Sequence, residues 1–218
     1  MTPRPLTSPE DRLAATPLWL RLVDEVTGRP PIGPLEVLLE RRSGATWEPL
    51  EHAYQLSSRG DLGFLDLGRG RPGDAGTFDV RVTVTAPHTQ AATATGAASV
   101  TRTIAVWSEQ SPPAPVPVEV RFFPSPGYPF GAGTPLLSGR AVTAAGVPVD
   151  RAEVTATEIV RGSPVVERTL TGADGWFRLP LRWSSGATQV DAVKGPLTDS
   201  ATLTVPDDLG EVVTLTLT

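Results

Sequence analysis

The chain has 218 residues but no cysteine, no asparagine, a single lysine (Lys194) and only two histidines. Without cysteine there is no disulfide, no thiolate metal ligand and no thiol nucleophile. Two histidines cannot build a multi-histidine metal centre. Without asparagine there is no N-glycosylation acceptor and no Asn-Gly turn, so tight turns fall to Gly, Asp, Ser and Pro. No stretch of 18 apolar residues occurs, which excludes a transmembrane helix. The formal net charge of −5 argues against nucleic acid as a partner. Arginine supplies the other 18 basic residues, a bias of the kind a GC-rich bacterial genome produces.

What is present is a two-residue period. Leu18, Leu20 and Leu22 alternate with Trp19, Arg21 and Val23. The same alternation runs through Phe78–Thr85, Val116–Phe122, Trp176–Leu181 and Val213–Thr218. Each such strand sends one side to a core and the other to water. Twenty-six Thr and 23 Val suit pleated, half-buried surfaces. The 21 Gly and 23 Pro break the strands about every ten residues, the pattern of a β-sandwich.

The pattern repeats. Leu22–Pro31 followed by Leu35-Glu36-Val37 parallels Gly139–Pro148 followed by Ala152-Glu153-Val154. Arg59–Leu67 parallels Gly172–Leu181, Thr77–Val84 parallels Thr188–Lys194, and Val100–Val106 is matched to Glu211–Thr218. The expected organisation is an arm at 1–16, a sandwich at 17–109, a linker at 110–117 and a second sandwich at 118–218. Four prolines in Ser111–Pro117 make the linker a stiff polyproline II spacer. In the arm, Ser8 can cap, Pro9 suits the first helical position, and Leu13-Ala14-Ala15 extends a helix too short to stand alone.

The second half resembles a carboxypeptidase regulatory-like domain, a transthyretin-like β-sandwich. The resemblance is carried by Gly139–Pro148, Ala152-Glu153-Val154 and above all Thr171-Gly172-Ala173-Asp174-Gly175-Trp176-Phe177-Arg178-Leu179. In that family an Asp-Gly-x-Phe segment forms a tight turn, and its Phe opens a core strand. The resemblance thus assigns Asp174 and Gly175 to the turn and Phe177 to the core. The first half matches more loosely through Asp61-Leu62-Gly63-Phe64, where the Gly has moved. The family is noncatalytic and serves as a spacer, docking or presentation module, so the fold alone leaves the function open.

Candidate sites are few. His52 lies near Glu48 and Glu51, and His88 follows Pro87 in a turn; both read as surface histidines, and an enzyme would need a pocket around His52. Asp174 and Asp207-Asp208 lack the dense carboxylate spacing of a calcium loop and read as turn residues. Lys194 sits at a Gly-Pro turn, with no Asn to crosslink. Arg59-Gly60-Asp61 matches an integrin-binding tripeptide that charged Gly turns also produce by chance. The aromatic segment Phe122, Phe123, Tyr128 and Phe130 is the strongest interaction candidate, weighed against the reading that its rings cover a seam between domains. The five tryptophans are dispersed and read as core or flanking rings, not a binding row.

The expected protein is therefore all-β, two tandem sandwiches with no catalytic residue, cofactor or metal. Its expected function is that of a structural or interaction subunit. Its partner would be another protein or a further copy of itself. Its layout is similar to small components of phage-tail-like contractile particles. The alternative is a carbohydrate-binding or adhesive surface module, which needs a row of exposed aromatics on one sheet. Met1–Pro9 is polar and Pro-rich, unlike a signal peptide, so cytoplasmic synthesis without a leader is expected, with incorporation into a larger particle.

Overall fold

The computed structural model describes residues 16–91, 93, 96–114, 117–182 and 186–218. The arm helix expected at Ser8–Ala15, part of the Pro-rich linker (Pro115 and Val116) and Trp183 lie outside the described residues. The protein is all-β, with sixteen strands and one short 3₁₀ turn (Asp207–Gly210) among the described residues. It divides into two compact units. Unit 1 comprises Met1–Val23, Thr27–Ala86 and Ala97–Arg121, and unit 2 comprises Asp24–Val26, Pro87–Gly96 and Phe122–Thr218.

Unit 1 is built from β1 (Trp19–Asp24), β2 (Glu36–Ser43), β3 (Thr46–Pro49), β4 (Tyr54–Leu56), β5 (Asp61–Phe64), β6 (Thr77–Thr85), β8 (Ala98–Ala105) and the first residues of β9 (Val118–Pro124). One sheet has the order β4-β5-β1-β9 and the other β3-β2-β6-β8. Alternation decides what each strand buries. Leu18, Leu20, Leu22, Leu62, Phe64, Val80, Val82 and Val84 are each at most 1% exposed. Arg21 between them faces water and pairs with Asp61 at 2.9 Å.

Unit 2 uses the end of β9, with Thr89–Gln90 (β7) paired antiparallel to Phe123–Pro124. It continues with β10 (Leu136–Thr143), β11 (Glu153–Val160), β12 (Ser163–Leu170), β13 (Trp176–Pro180), β14 (Gly186–Lys194), β15 (Leu197–Val205) and β16 (Val212–Leu217). Its sheets are β13-β10-β16 and β12-β11-β14-β15. Leu137, Ala141, Val154, Phe177, Leu179, Val190 and Leu215 fill the space between them.

Apart from β4, which has no counterpart in unit 2, the sheet orders of the two units match, which gives the internal repeat a structural basis. β2, β3, β6 and β8 occupy the places of β11, β12, β14 and β15, while β5-β1-β9 corresponds to β13-β10-β16. One alignment is corrected by this order. The counterpart of the last strand, Val212–Leu217, is β9 and not the Val100–Val106 stretch. The error has a simple cause, because a Thr/Val-rich alternating strand looks alike wherever it falls in the order.

The turn before β13 shows how local chemistry sets register. Asp174 Oδ1 accepts the Trp176 N–H at 3.1 Å, and the Gly175 N–H donates to the Gly172 carbonyl at 2.9 Å. Gly175 has φ +78° and sits so close to β10 that a Cβ would lie 2.5 Å from the Ala141 carbonyl oxygen. Phe177 is then fully buried while Trp176 is 38% exposed, on the opposite face. Phe177→Ala should cost about 3–5 kcal/mol in a denaturant melt, and Trp176→Ala clearly less. The reverse order would mean that β13 is shifted by one residue.

Candidate functional site

The aromatic segment at Phe122–Phe130 is not a solvent-facing platform. Phe122, Phe123 and Tyr128 are buried and Phe130 is half-buried, so the expected interaction surface is corrected to an internal packing element of unit 2. The physical reason is a partner far away in sequence. The Tyr128 hydroxyl donates to Asp24 Oδ2 at 2.6 Å, and the other Asp24 oxygen accepts the Val26 N–H at 2.8 Å. Burial and the Asp24 carboxylate push the Tyr128 hydroxyl well above the ordinary tyrosine range. Thr169 donates to the Pro124 carbonyl at 2.8 Å, and Ser125 bonds to the His88 carbonyl through both its N–H and its hydroxyl. The Arg178 guanidinium stands 5.5 Å over the Phe130 ring, which packs 4.7 Å from Tyr128.

His52 is less of a surface residue than its neighbours suggested. Its Nε2–H donates to the Leu65 carbonyl, and its ring packs 6.4 Å from Phe64. Beside it is an open cavity of about 220 Å³ lined by Val37, Leu38, Leu39, Pro49, Leu50, Glu51, His52, Tyr54 and Phe64. The pocket an enzyme would need around His52 therefore exists, but its wall is predominantly apolar. Its ionisable groups are Glu51, His52 and Tyr54, of which His52 is engaged by the Leu65 carbonyl. Sequence reasoning missed this cavity because its wall comes from β2, β4, β5 and the 49–52 connection, which alternation does not relate.

The other candidates resolve into structure. His88 is exposed in a turn with φ +62°. In Arg59-Gly60-Asp61 the Asp is 6% exposed and held by Arg21, so it does not project as an adhesive tripeptide would. Gly60 is required there, since a Cβ would lie 2.7 Å from the Leu22 carbonyl oxygen. Lys194 donates to the Arg151 carbonyl at 3.1 Å. Asp208 accepts the Thr204 N–H at 2.6 Å, as a turn residue does. Among the described residues no cluster of three or more His, Asp or Glu is placed to hold a metal, and no helix is long and apolar enough to cross a membrane. Among the described residues the clearly exposed large aromatics are Tyr54 in unit 1 and Trp176 in unit 2, which make no row on one sheet.

One ionisable cluster stands apart. Glu158 and Glu167 are buried side by side on the inner face of β11 and β12, and both engage Arg182. Burial, with Glu158 and Glu25 nearby, holds the Glu167 carboxyl above its ordinary range despite the Arg182 charge. A carboxyl whose proton affinity is raised by folding adds stability below the carboxylate range and loses it as pH rises through the raised value. Glu167→Gln mimics the protonated form. It should melt with wild type near pH 4 and above it at pH 7. A lower melting temperature at pH 7 would show that the Arg182 ion pair outweighs the burial.

No family model matches the chain, and no curated protein matches it. Three solved structures align over most of its length. It covers 90% of itself and 32% of the Bacillus anthracis TIE protein at 14% identity and a TM-score of 0.29. Against a streptococcal ancillary pilin the values are 92%, 62%, 14% and 0.28. Against BcpA, the major pilin subunit of Bacillus cereus, they are 84%, 55%, 11% and 0.27. The chain thus spans between a third and three-fifths of the structures it matches. Two of the three are pilins, which conflicts with the expectation of a cytoplasmic protein made without a leader, and that expectation is withdrawn. Likeness of this extent fixes neither activity nor partner, and what stands is the fold: tandem Ig-like β-sandwich units.

Proposed function

We propose that the chain is a non-enzymatic structural or protein-interaction module that works through its surfaces in an assembly of protein subunits. The observation that carries this reading is where the polar side chains are used. His52 is held by a carbonyl, Tyr128 by Asp24, Asp61 by Arg21 and Asp174 by its own turn. Glu40 binds Arg81 through both oxygens at 2.7 and 2.9 Å, and that guanidinium lies 4.8 Å over the Trp47 ring. Groups that a reaction would need are thus committed to holding strands and turns. In this reading 17–109 and 118–218 are two rigid sandwiches, 110–117 is a stiff spacer, and the second sandwich is of the carboxypeptidase regulatory-like kind. Membership of a phage-tail-like contractile particle is the narrower form, supported by likeness of layout alone.

The test is light scattering of the full chain over a range of concentrations, together with affinity capture from the source cells. Association into a species heavier than one chain, or retention of a specific protein, is expected. A chain that stays monomeric and retains nothing would overturn the proposal.

A further inference from the structure

β4 is the outer strand of its sheet and, among the described residues, pairs only with β5. Hydrogen bonding alternates along an antiparallel strand, so its parity tells which groups face the open edge. The Ser57 N–H donates to the Asp61 carbonyl at 2.9 Å. Gln55, two positions back and opposite Gly63, therefore turns its N–H and C=O toward β5. Tyr54 and Leu56 turn theirs outward, where an added strand would meet them.

The side chains at this edge are apolar. Tyr54 stands opposite Phe64 and Leu56 opposite Leu62, both buried, yet Tyr54 and Leu56 are themselves 44% and 42% exposed. Tyr54 and the exposed Leu38 also wall the cavity beside His52. At about 220 Å³ that cavity is smaller than the ~300–1,000 Å³ of small-molecule sites. Charge completes the pattern. Glu51 and Arg59 lie at equal distances before and after Gln55 in sequence. Both are exposed, and neither side chain enters an ion pair among the described residues.

We infer that β4 pairs antiparallel with β4 of a second copy of this chain, about a two-fold axis at Gln55. Tyr54 then lies opposite the second copy's Leu56, and Leu56 opposite its Tyr54, so the outward N–H and C=O groups of each copy bond to those of the other. The same operation brings each Glu51 to the other copy's Arg59. A slip of one residue would set outward groups against inward ones, so backbone, apolar surface and charge agree on this register. An unrelated extended segment would match the backbone alone, and the charge complementarity is what selects a second copy. The inference rests on the function proposed above and deepens it, by naming the partner and the edge.

The chain has no cysteine, so a single Gln55→Cys reports on the axis. Residues opposite one another in a non-hydrogen-bonded pair have Cα atoms about 4.5 Å apart, within disulfide reach. Under mild oxidation, Gln55→Cys should give disulfide-linked dimer at least tenfold faster than Thr101→Cys on β8, an edge of the other sheet. In the Gln55→Cys chain, Glu51→Arg or Arg59→Glu should each slow the crosslink about fivefold. Both changes together should restore it, because Arg and Glu then face each other again with their places exchanged. A Gln55→Cys crosslink no faster than the control would overturn the inference. If the full chain still associates in light scattering, the general reading survives that result; if it stays monomeric, both fall. A fast crosslink that neither charge variant slows would overturn the register and the inference with it.

Discussion

In unit 2 the ring of Phe177 occupies the space that a side chain at position 139 would need. A Cβ built on Gly139 would lie 2.2 Å from that ring and 2.6 Å from the Val213 carbonyl oxygen. β10 is the middle strand of its sheet, antiparallel to β13 and parallel to β16. The contact therefore fixes both of its neighbours at once, with Gly139 opposite Phe177 on one side and Val213 on the other. Close approach of backbone and ring leaves no void, and interior packing at that density is what makes register a single solution. The positive φ of Gly175 serves the same junction, since it lets the turn reach within bonding distance of Ala141.

The elements legible in the sequence are those whose signal is local. Alternation at Leu18–Leu22 and Trp176–Leu181 predicts which side is buried, because a strand has only two faces. The Asp-Gly turn is legible because its bonds join residues two or three positions apart. The aromatic segment is not legible in this way. The fate of Tyr128 depends on Asp24, 104 residues earlier, and nothing in Tyr-Pro-Phe-Gly announces that partner. A cluster of rings has the same composition whether it faces a partner, a seam or its own core. The cavity beside His52 was hidden for the same reason, and β9, legible as a strand from its alternation, could not be told from other Val-rich strands as the counterpart of β16.

The division at β9 also bears on how the halves stand alone. Asp24–Val26 and Pro87–Gly96 belong to unit 2 although they precede the Pro-rich segment. Gln90 donates to the Leu170 carbonyl at 3.2 Å, and Glu25 donates its N–H to the Phe122 carbonyl at 3.0 Å. A cut in the Pro-rich segment would leave Tyr128 buried without its acceptor, and an orphaned buried hydroxyl costs about 1–3 kcal/mol. The covalent midpoint of the chain and the boundary between its cores are thus different places.

Edge strands show where each sheet stays open to pairing. A free edge invites pairing with another chain, and proteins blunt it with charge, proline or cover. β3 ends Glu48-Pro49, β12 carries Pro164, Glu167 and Arg168, and β15 carries Asp199. β4 reads Tyr-Gln-Leu, with neither charge nor proline, and exposes both its apolar residues. Shortness limits the hazard, because three residues present few unpaired groups. It does not remove the apolar surface, which a cavity deepens rather than hides.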